Sequence, residues 1–235
     1  MNKIKTAAVV LSAGVGKRMG GKVPKQYMLL NNKPIIYYSL KAFEDSIIDE
    51  IVLVCGKGDI DFCQTELVDK YSLKKVTHIV EGGAERFDSV WNGVKVARNA
   101  DYVFIHDGAR PFVTNDIIKR SYEKVLECDA CVVGMPVKDT VKIVNDEGII
   151  IETPNRKDVY QIQTPQIFRK TLLEEAYSKL YSLSEREIEA AAITDDSMLV
   201  ETFTDSKVSI VMGDYCNIKI TTAEDMLLAK EFANK

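Results

Sequence analysis

Between Ala7 and Met135 short apolar runs alternate with helical patterns, and this rhythm constrains the fold more than any other feature of the chain. Strand-like runs lie at Ala7–Leu11, Glu50–Cys55, Thr77–Val80, Tyr102–His106 and Ala130–Met135. Helical periodicity falls between them, at Pro34–Phe43, Asp61–Tyr71, Arg86–Ala97 and Asp116–Glu127. Strand–helix alternation predicts an α/β, Rossmann-like fold, a mostly parallel sheet flanked by helices on both faces. Right-handed crossovers then bring the C-terminal strand ends to one edge of the sheet, where ligands bind.

The rhythm breaks after Pro136. Thr140–Val144 and Ile149–Thr153 flank the turn-forming Asn145-Asp-Glu-Gly148 and predict a β-hairpin, a protruding arm over residues 137–156. An isolated two-stranded ribbon is marginal in water, so this apolar hairpin has to pack on its own domain or on a second subunit. The interruption of a regular sheet favours the second subunit. Further on, the sequence predicts a helix at Lys170–Tyr181, a polar loop, a helix from Asp195, a strand at Lys207–Met212 and a last helix opened by the capping-box pattern Thr221-Thr-Ala-Glu224. No repeat or linker divides the chain, so residues 1–235 are expected to form one domain carrying one arm.

A chain of 235 residues is long enough for a full core. Its net charge of −4 argues against a general nucleic-acid binder, which needs a basic face. The apolar run ending at Leu11 is too short to span a membrane, and the expected location is the cytoplasm. Five cysteines, Cys55, Cys63, Cys128, Cys131 and Cys216, are expected to be buried, reduced thiols; Cys128-x-x-Cys131 alone is a weak redox signal. Two histidines, His78 and His106, make a histidine-rich zinc site a poor expectation.

Positive charge concentrates after the first strand, in Leu11-Ser-Ala-Gly-Val-Gly-Lys-Arg-Met-Gly-Gly-Lys-Val-Pro-Lys25. Glycines let backbone amides approach an anion, and Lys17, Arg18, Lys22 and Lys25 supply charge. A dinucleotide-binding turn is disfavoured because Met19 stands where its third glycine belongs and no acidic residue follows in Asn31-Asn-Lys-Pro34. A P-loop fits Gly16 to Lys22, but Val23 replaces the Ser or Thr that would hold magnesium, and Pro24 follows. What remains is an L-x-A-G-x-G-x-R-M loop followed by Pro-Lys, which resembles the signature of nucleotidyltransferases that join a sugar or polyol phosphate to a nucleotide. Such transfer needs positioning and cationic stabilisation more than a protein nucleophile.

Five further segments occur in order: Gly82-Gly-Ala-Glu-Arg-Phe-Asp-Ser-Val90, His106-Asp-Gly-Ala-Arg-Pro111, Pro136-Val-Lys-Asp-Thr-Val-Lys142, Gln163-Thr-Pro-Gln166 and Asn217-Ile-Lys-Ile-Thr221. Together they resemble the 2-C-methyl-D-erythritol 4-phosphate cytidylyltransferase family over nearly the whole chain. The resemblance implies CTP and methylerythritol phosphate as substrates, Mg²⁺ as cofactor and a homodimer joined through the arm. It implies nucleotide contacts from Ser12, Ala13, Gly14, Gly16, Gly83, Ser89, Asp107 and Gly108, with Gly83 and Ser89 reading the cytosine edge and Asp107 near the metal. Arg18 and Lys25 are the implied transition-state cations and Lys219 a third catalytic cation, while Arg110, Thr140, Arg156, Thr164 and Lys219 surround the acceptor phosphate, Thr140 and Arg156 in the partner's site.

Some residues have plainer readings. Arg86 and Asp88 are expected to form a structural ion pair, His106 to point away from the metal, and Asp195 and Asp196 to be a helix N-cap and a first-turn charge. Ser12, Ala84, Gly108 and Cys216 depart from common residues of the family. The nearest rival is a ribitol-5-phosphate cytidylyltransferase, against which Gly108-Ala109 and Thr194-Asp-Asp-Ser-Met198 speak; a non-catalytic nucleotide-binding regulator would not need the transition-state cations.

Overall fold

The computed structural model describes residues 3–14 and 24–234. Seven strands form the central sheet: β1 (Thr6–Leu11), β4 (Glu50–Cys55), β5 (Val76–Glu81), β6 (Tyr102–Asp107), β7 (Ala130–Pro136), β10 (Tyr160–Arg169) and β11 (Ser209–Met212). Their order is β11-β7-β10-β6-β1-β4-β5, and only β10 runs antiparallel to its neighbours. Two short pairs lie outside the sheet, β2 (Leu29–Leu30) with β3 (Lys33–Pro34), and β8 (Ile143–Val144) with β9 (Ile150–Glu152).

Alternate residues of β1 feed opposite cores, as the two-residue period of a strand requires. Ala8 and Val10 join Ile36, Leu40 and Phe43 of α1 (Ile35–Glu44), Leu67 of the helix begun by α2 (Ile60–Cys63), and Ile117 and Ile118 of α4 (Asn115–Cys128). Ala7 and Val9 join Val90 and Val94 of α3 (Arg86–Val96), Leu173 and Tyr177 of α5 (Lys170–Leu180), and Leu199 and Val200 of α7 (Asp196–Phe203). Each fully buried aliphatic side chain contributes about 1.5–3 kcal/mol. A sheet clad on both faces therefore holds its strand ends rigidly.

The five predicted strands and the helices between them form with ends shifted by a residue or two. Beyond Cys63 the α2 turns widen into a π-helical stretch, Gln64–Asp69. β10 is a departure from the sequence reading, which left residues 160–169 unassigned: three glutamines and Pro165 mask the apolar alternation. The ladder to β7 shifts register between Ile162 and Gln166, and the Thr164–Pro165 peptide within that irregularity is cis. The stretch expected to be a polar loop contains α6 (Glu185–Ala191), capped by Ser184 with Glu187. The last helix, α8 (Ala223–Ala233), starts one residue later than its expected cap: Thr222 and Asp225 make the capping box, not Thr221 and Glu224.

The arm forms, with shorter strands than predicted. Asn145 shapes its turn by accepting from the backbone N–H of Glu147 and Ile149, and Gly148 adopts a φ of +77°. Ile149, Ile150 and Ile151 remain 57%, 56% and 63% exposed. The arm's apolar side chains are thus largely uncovered by their own chain. The cysteines also differ from expectation: all five are free, but only Cys55, Cys63 and Cys131 are buried, while Cys128 is half-buried and Cys216 exposed.

Candidate active site

Leu11 of β1 and Asp107 of β6 are paired across the sheet at the same edge, where both strands end. Around them lie the first turn of α3, a 3-10 turn at Lys25–Tyr27 and the segment bearing Lys219, enclosing a cavity of about 410 Å³. Its walls include Ser12, Ala13, Gly14, Lys25, Gly83, Ser89, Asp107 and Lys219, all expected from the sequence. Gly16 and Arg18 lie outside the described residues.

A second cavity, about 180 Å³, shares Arg86, Asp107 and Lys219 with the first and adds Arg110, Gln163, Thr164 and Asp195. Arg110 donates to the carbonyl of Asn217 at 2.8 Å, while its buried Nε has no partner among the described residues. Burial pulls the Arg110 guanidinium down from its ordinary range, with Asp107 opposing. Thr140 and Arg156 are exposed at the base of the arm, away from both cavities; Arg156 Nη1 donates to the carbonyl of Lys138 at 3.2 Å.

Asp107 is the electrostatic centre. Its Oδ2 lies 2.6 Å from Lys219 Nζ and its Oδ1 3.6 Å from Arg86 Nη2. Burial alone would raise its carboxyl, but Arg86, Lys219 and Arg110 outweigh burial and hold it well below the usual carboxylate range. Arg86 Nη2 also meets Asp196 Oδ2 at 2.7 Å, so the expected Arg86–Asp88 pair does not form. Asp88 instead accepts from the Glu85 backbone at 3.0 Å and from the Tyr181 hydroxyl at 2.8 Å. Asp196 is 1% exposed, and losing Arg86 would leave it an uncompensated buried charge, a cost of about 3–5 kcal/mol. Asp195 is the α7 N-cap, as expected.

His106 is fully buried and packs its ring against Phe43. A carbonyl can only accept, so the ring's Nε2 donates to Arg110 O at 3.1 Å, and Nδ1 accepts the Thr164 hydroxyl at 3.0 Å. Thr164 Oγ1 in turn accepts the Asp107 backbone N–H at 3.0 Å. Burial drives His106 down to about 4, so the ring is neutral near pH 7. It braces the site and faces away from the cavity.

Two expected nucleotide contacts are placed differently from the rest. Gly108 does not line the cavity; a Cβ there would sit 2.8 Å from Leu11 O and 3.0 Å from Ile36 Cδ1, and Ala109 forms the wall instead. Ser89 lines the cavity, but its hydroxyl accepts from Gly83 N at 3.0 Å and donates to Glu85 O at 3.1 Å, fixing the turn before α3.

The sequence of this chain matches the family model for 2-C-methyl-D-erythritol 4-phosphate cytidylyltransferase (IspD) over residues 6–235. The chain belongs to this family. A protein of that name from Lachnospira eligens is 50% identical over 226 residues, covering 96% of this chain and 97% of the relative. One from Lachnoclostridium phytofermentans is 49% identical over 226 residues, covering 96% and 95%. The crystal structure of 4-diphosphocytidyl-2C-methyl-D-erythritol synthase from Anaerococcus prevotii superposes with a TM-score of 0.84 at 32% identity and covers 99% of both chains. The family is one of cytidylyltransferases, and its solved structures share this α/β fold.

Sequence reasoning missed Gln26, Ala109 and the bridging role of Arg86 in the cavity walls, while Ala84, noted as a departure from the family, does line the cavity. A signal for Arg86 existed: it opens α3 right after the Gly82-Gly83 turn at the strand-end edge. Its partner Asp196 lies 110 residues away, beyond any local pattern.

Of the expected metal, the described residues offer a limited donor set. They hold no group of three or more His, Cys, Asp or Glu side chains suited to a metal ion. One strand-end carboxylate, Asp107, still fits Mg²⁺, because that ion commonly takes one or two carboxylates and fills its octahedron with phosphate oxygens and water.

Proposed function

We propose that this chain transfers the cytidylyl group of CTP to 2-C-methyl-D-erythritol 4-phosphate, releasing pyrophosphate and forming the CDP-alcohol used in isoprenoid precursor synthesis. The observation that carries the reading is a single cavity in which the glycine-bearing end of β1, Lys25, Lys219 and Asp107 converge.

In this reading the backbone of Ala13 and Gly14, with Gly16, approaches the triphosphate, beside Ser12, whose own N–H and carbonyl are engaged by Val54 and Gln26, and the base lies toward Gly83 and Ser89. A phosphate oxygen of the acceptor attacks the α-phosphorus in line. The new P–O bond forms as the α–β bridge breaks, and the bridging electron pair leaves with pyrophosphate. The attacking phosphate is already anionic, so no strong base is required, in keeping with a His106 locked neutral by burial. Arg18 and Lys25 counter the charge that builds on the α-phosphoryl oxygens. Lys219 and Arg110 orient the acceptor phosphate from the second cavity, with Thr164 behind them. Mg²⁺, held by Asp107 and phosphate oxygens, would supply further neutralisation of the triphosphate.

The arm, residues 137–156, is read as part of a single nucleotidyltransferase domain that docks on a second copy and carries Thr140 and Arg156 toward that copy's acceptor site. Exposure of its isoleucines supports this. Five free thiols support a reducing, cytoplasmic setting, and no helix among the described residues is long and apolar enough to cross a membrane. Purified protein given CTP, Mg²⁺ and either methylerythritol phosphate or ribitol 5-phosphate should release pyrophosphate with the first. Turnover with ribitol 5-phosphate alone would reassign the acceptor, and none with either would refute transfer.

A further inference from the structure

The two ends of the Ser12–Lys25 segment are tied together by side chains that the chemistry above does not use. Gln26 is 4% exposed, lines the nucleotide cavity beside Lys25, and donates from Nε2 to the backbone carbonyl of Ser12. Ser12 is held from two more directions. Its N–H donates to Val54 O of β4 at 2.7 Å, and its hydroxyl lies 3.4 Å from that of Tyr27. Tyr27 is itself anchored, with its hydroxyl 3.2 Å from Cys63 Sγ and 3.4 Å from Asp59 Oδ2 and its ring 4.9 Å from that of Phe62.

We propose that Gln26 is a positioning residue for cytidylyl transfer: its carboxamide, closed on the Ser12 carbonyl, fixes Lys25 against the end of β1 where the α-phosphoryl group is held. A buried carbonyl left without a donor is costly, and the Gln26 carboxamide supplies that donor. Lys25 precedes Gln26 directly and opens the same 3-10 turn, in which Tyr27 N donates to Pro24 O at 2.9 Å and Met28 N to Lys25 O at 3.2 Å. Fixing Gln26 therefore fixes the starting point of the Lys25 side chain. Misplacing a cation by about an ångström is enough to cost on the order of 10²-fold in rate.

The proposal rests on the transfer reading, and wild-type pyrophosphate release from CTP and methylerythritol phosphate is measured first; its absence would overturn that reading and with it the role of Gln26 in transfer. With wild type active, the test is a double-mutant cycle of Gln26→Glu and Lys25→Ala, reading kcat and the KM for CTP separately, with melting curves for every variant. Glutamate keeps the size of glutamine but, ionised, has no hydrogen to donate. Gln26→Glu is expected to lower kcat on the order of 10²-fold with CTP KM changed far less, and to add little once Lys25 is already alanine. Gln26→Met, neutral and of similar length, should show the same coupling, which separates the lost donor from the added charge. Full additivity of the two losses, wild-type kcat in both Gln26 variants, or unfolding of both at the assay temperature would overturn the proposal, the last because it would make Gln26 structural alone.

Discussion

At Thr164 one hydroxyl serves two neighbours, accepting the Asp107 backbone N–H and donating to His106 Nδ1. This arrangement requires a neutral ring, and it ties folding stability to pH. His106 drops from 6.5 to about 4 in the folded protein, so between those values the unfolded chain binds a proton that the folded chain refuses. Its contribution is complete above about pH 6.5 and is lost as pH falls toward 4, on the order of 3 kcal/mol in all. Melting curves from pH 7 to 4, without nucleotide or added metal, should slope accordingly, and His106→Gln should flatten that slope; an unchanged slope would place the titration elsewhere. Single residues were legible to different degrees. Lys25 and Asp107 announced themselves through charge and strand-end position, Ser12 and Lys219 only through the motifs that carry the family resemblance. Gly108 did not, because whether a strand-end glycine faces ligand or helix depends on how closely α1 approaches β6, and no local pattern records that.

Among the elements, α3 packs closely enough on the sheet to constrain its own sequence. A Cβ at Gly93 would clash with Val9 Cγ1 and sit 3.0 Å from Val54 Cγ2, so the helix meets β1 and β4 only because residue 93 has no side chain. Alanine is the better helix former by about 1 kcal/mol, yet Gly93→Ala should destabilise the protein by about 1–3 kcal/mol through overpacking. Urea denaturation checks this, and a neutral or stabilising result would mean that α3 can retreat from the sheet at no cost. The inner parallel strands β1, β4, β6 and β7 were readable because burial on both faces leaves continuous apolar runs. β10 was not, since its middle turns Gln161, Gln163 and Gln166 into the sequence: Gln163 Nε2 donates to Asp214 O at 2.8 Å and Gln166 Nε2 to Asp195 Oδ2 at 2.9 Å. Gln163 and Gln166 knit distant segments together and so look polar in sequence while being buried, whereas Gln161 is exposed. For α6 the Ser184-x-x-Glu187 box was present and would have found the helix.

For the whole molecule the decisive question is whether one site draws on two chains. If the arm carries Arg156 into a second copy, a mixture of Lys25→Ala and Arg156→Ala proteins, each nearly inactive alone, should regain activity as hybrids form, up to about a quarter of the wild-type level for random pairing of two copies. Hybrids shown to form without any recovery would mean that each site is built from one chain. The route of the chain through the arm bears on this. β7 and β10 are hydrogen-bonded antiparallel neighbours, Tyr160 opposite Pro136, and the ladder extends through Val137 N to Val159 O at 3.1 Å. The segment between them is thus the drawn-out tip of an ordinary hairpin. A hairpin tip can be lengthened, trimmed or rewritten at slowly growing entropic cost, without redrawing the strands beneath it. The surface that would join two copies is consequently free to drift over generations while the chemistry at the sheet edge stays put, and a change of assembly need not begin with a change of enzyme.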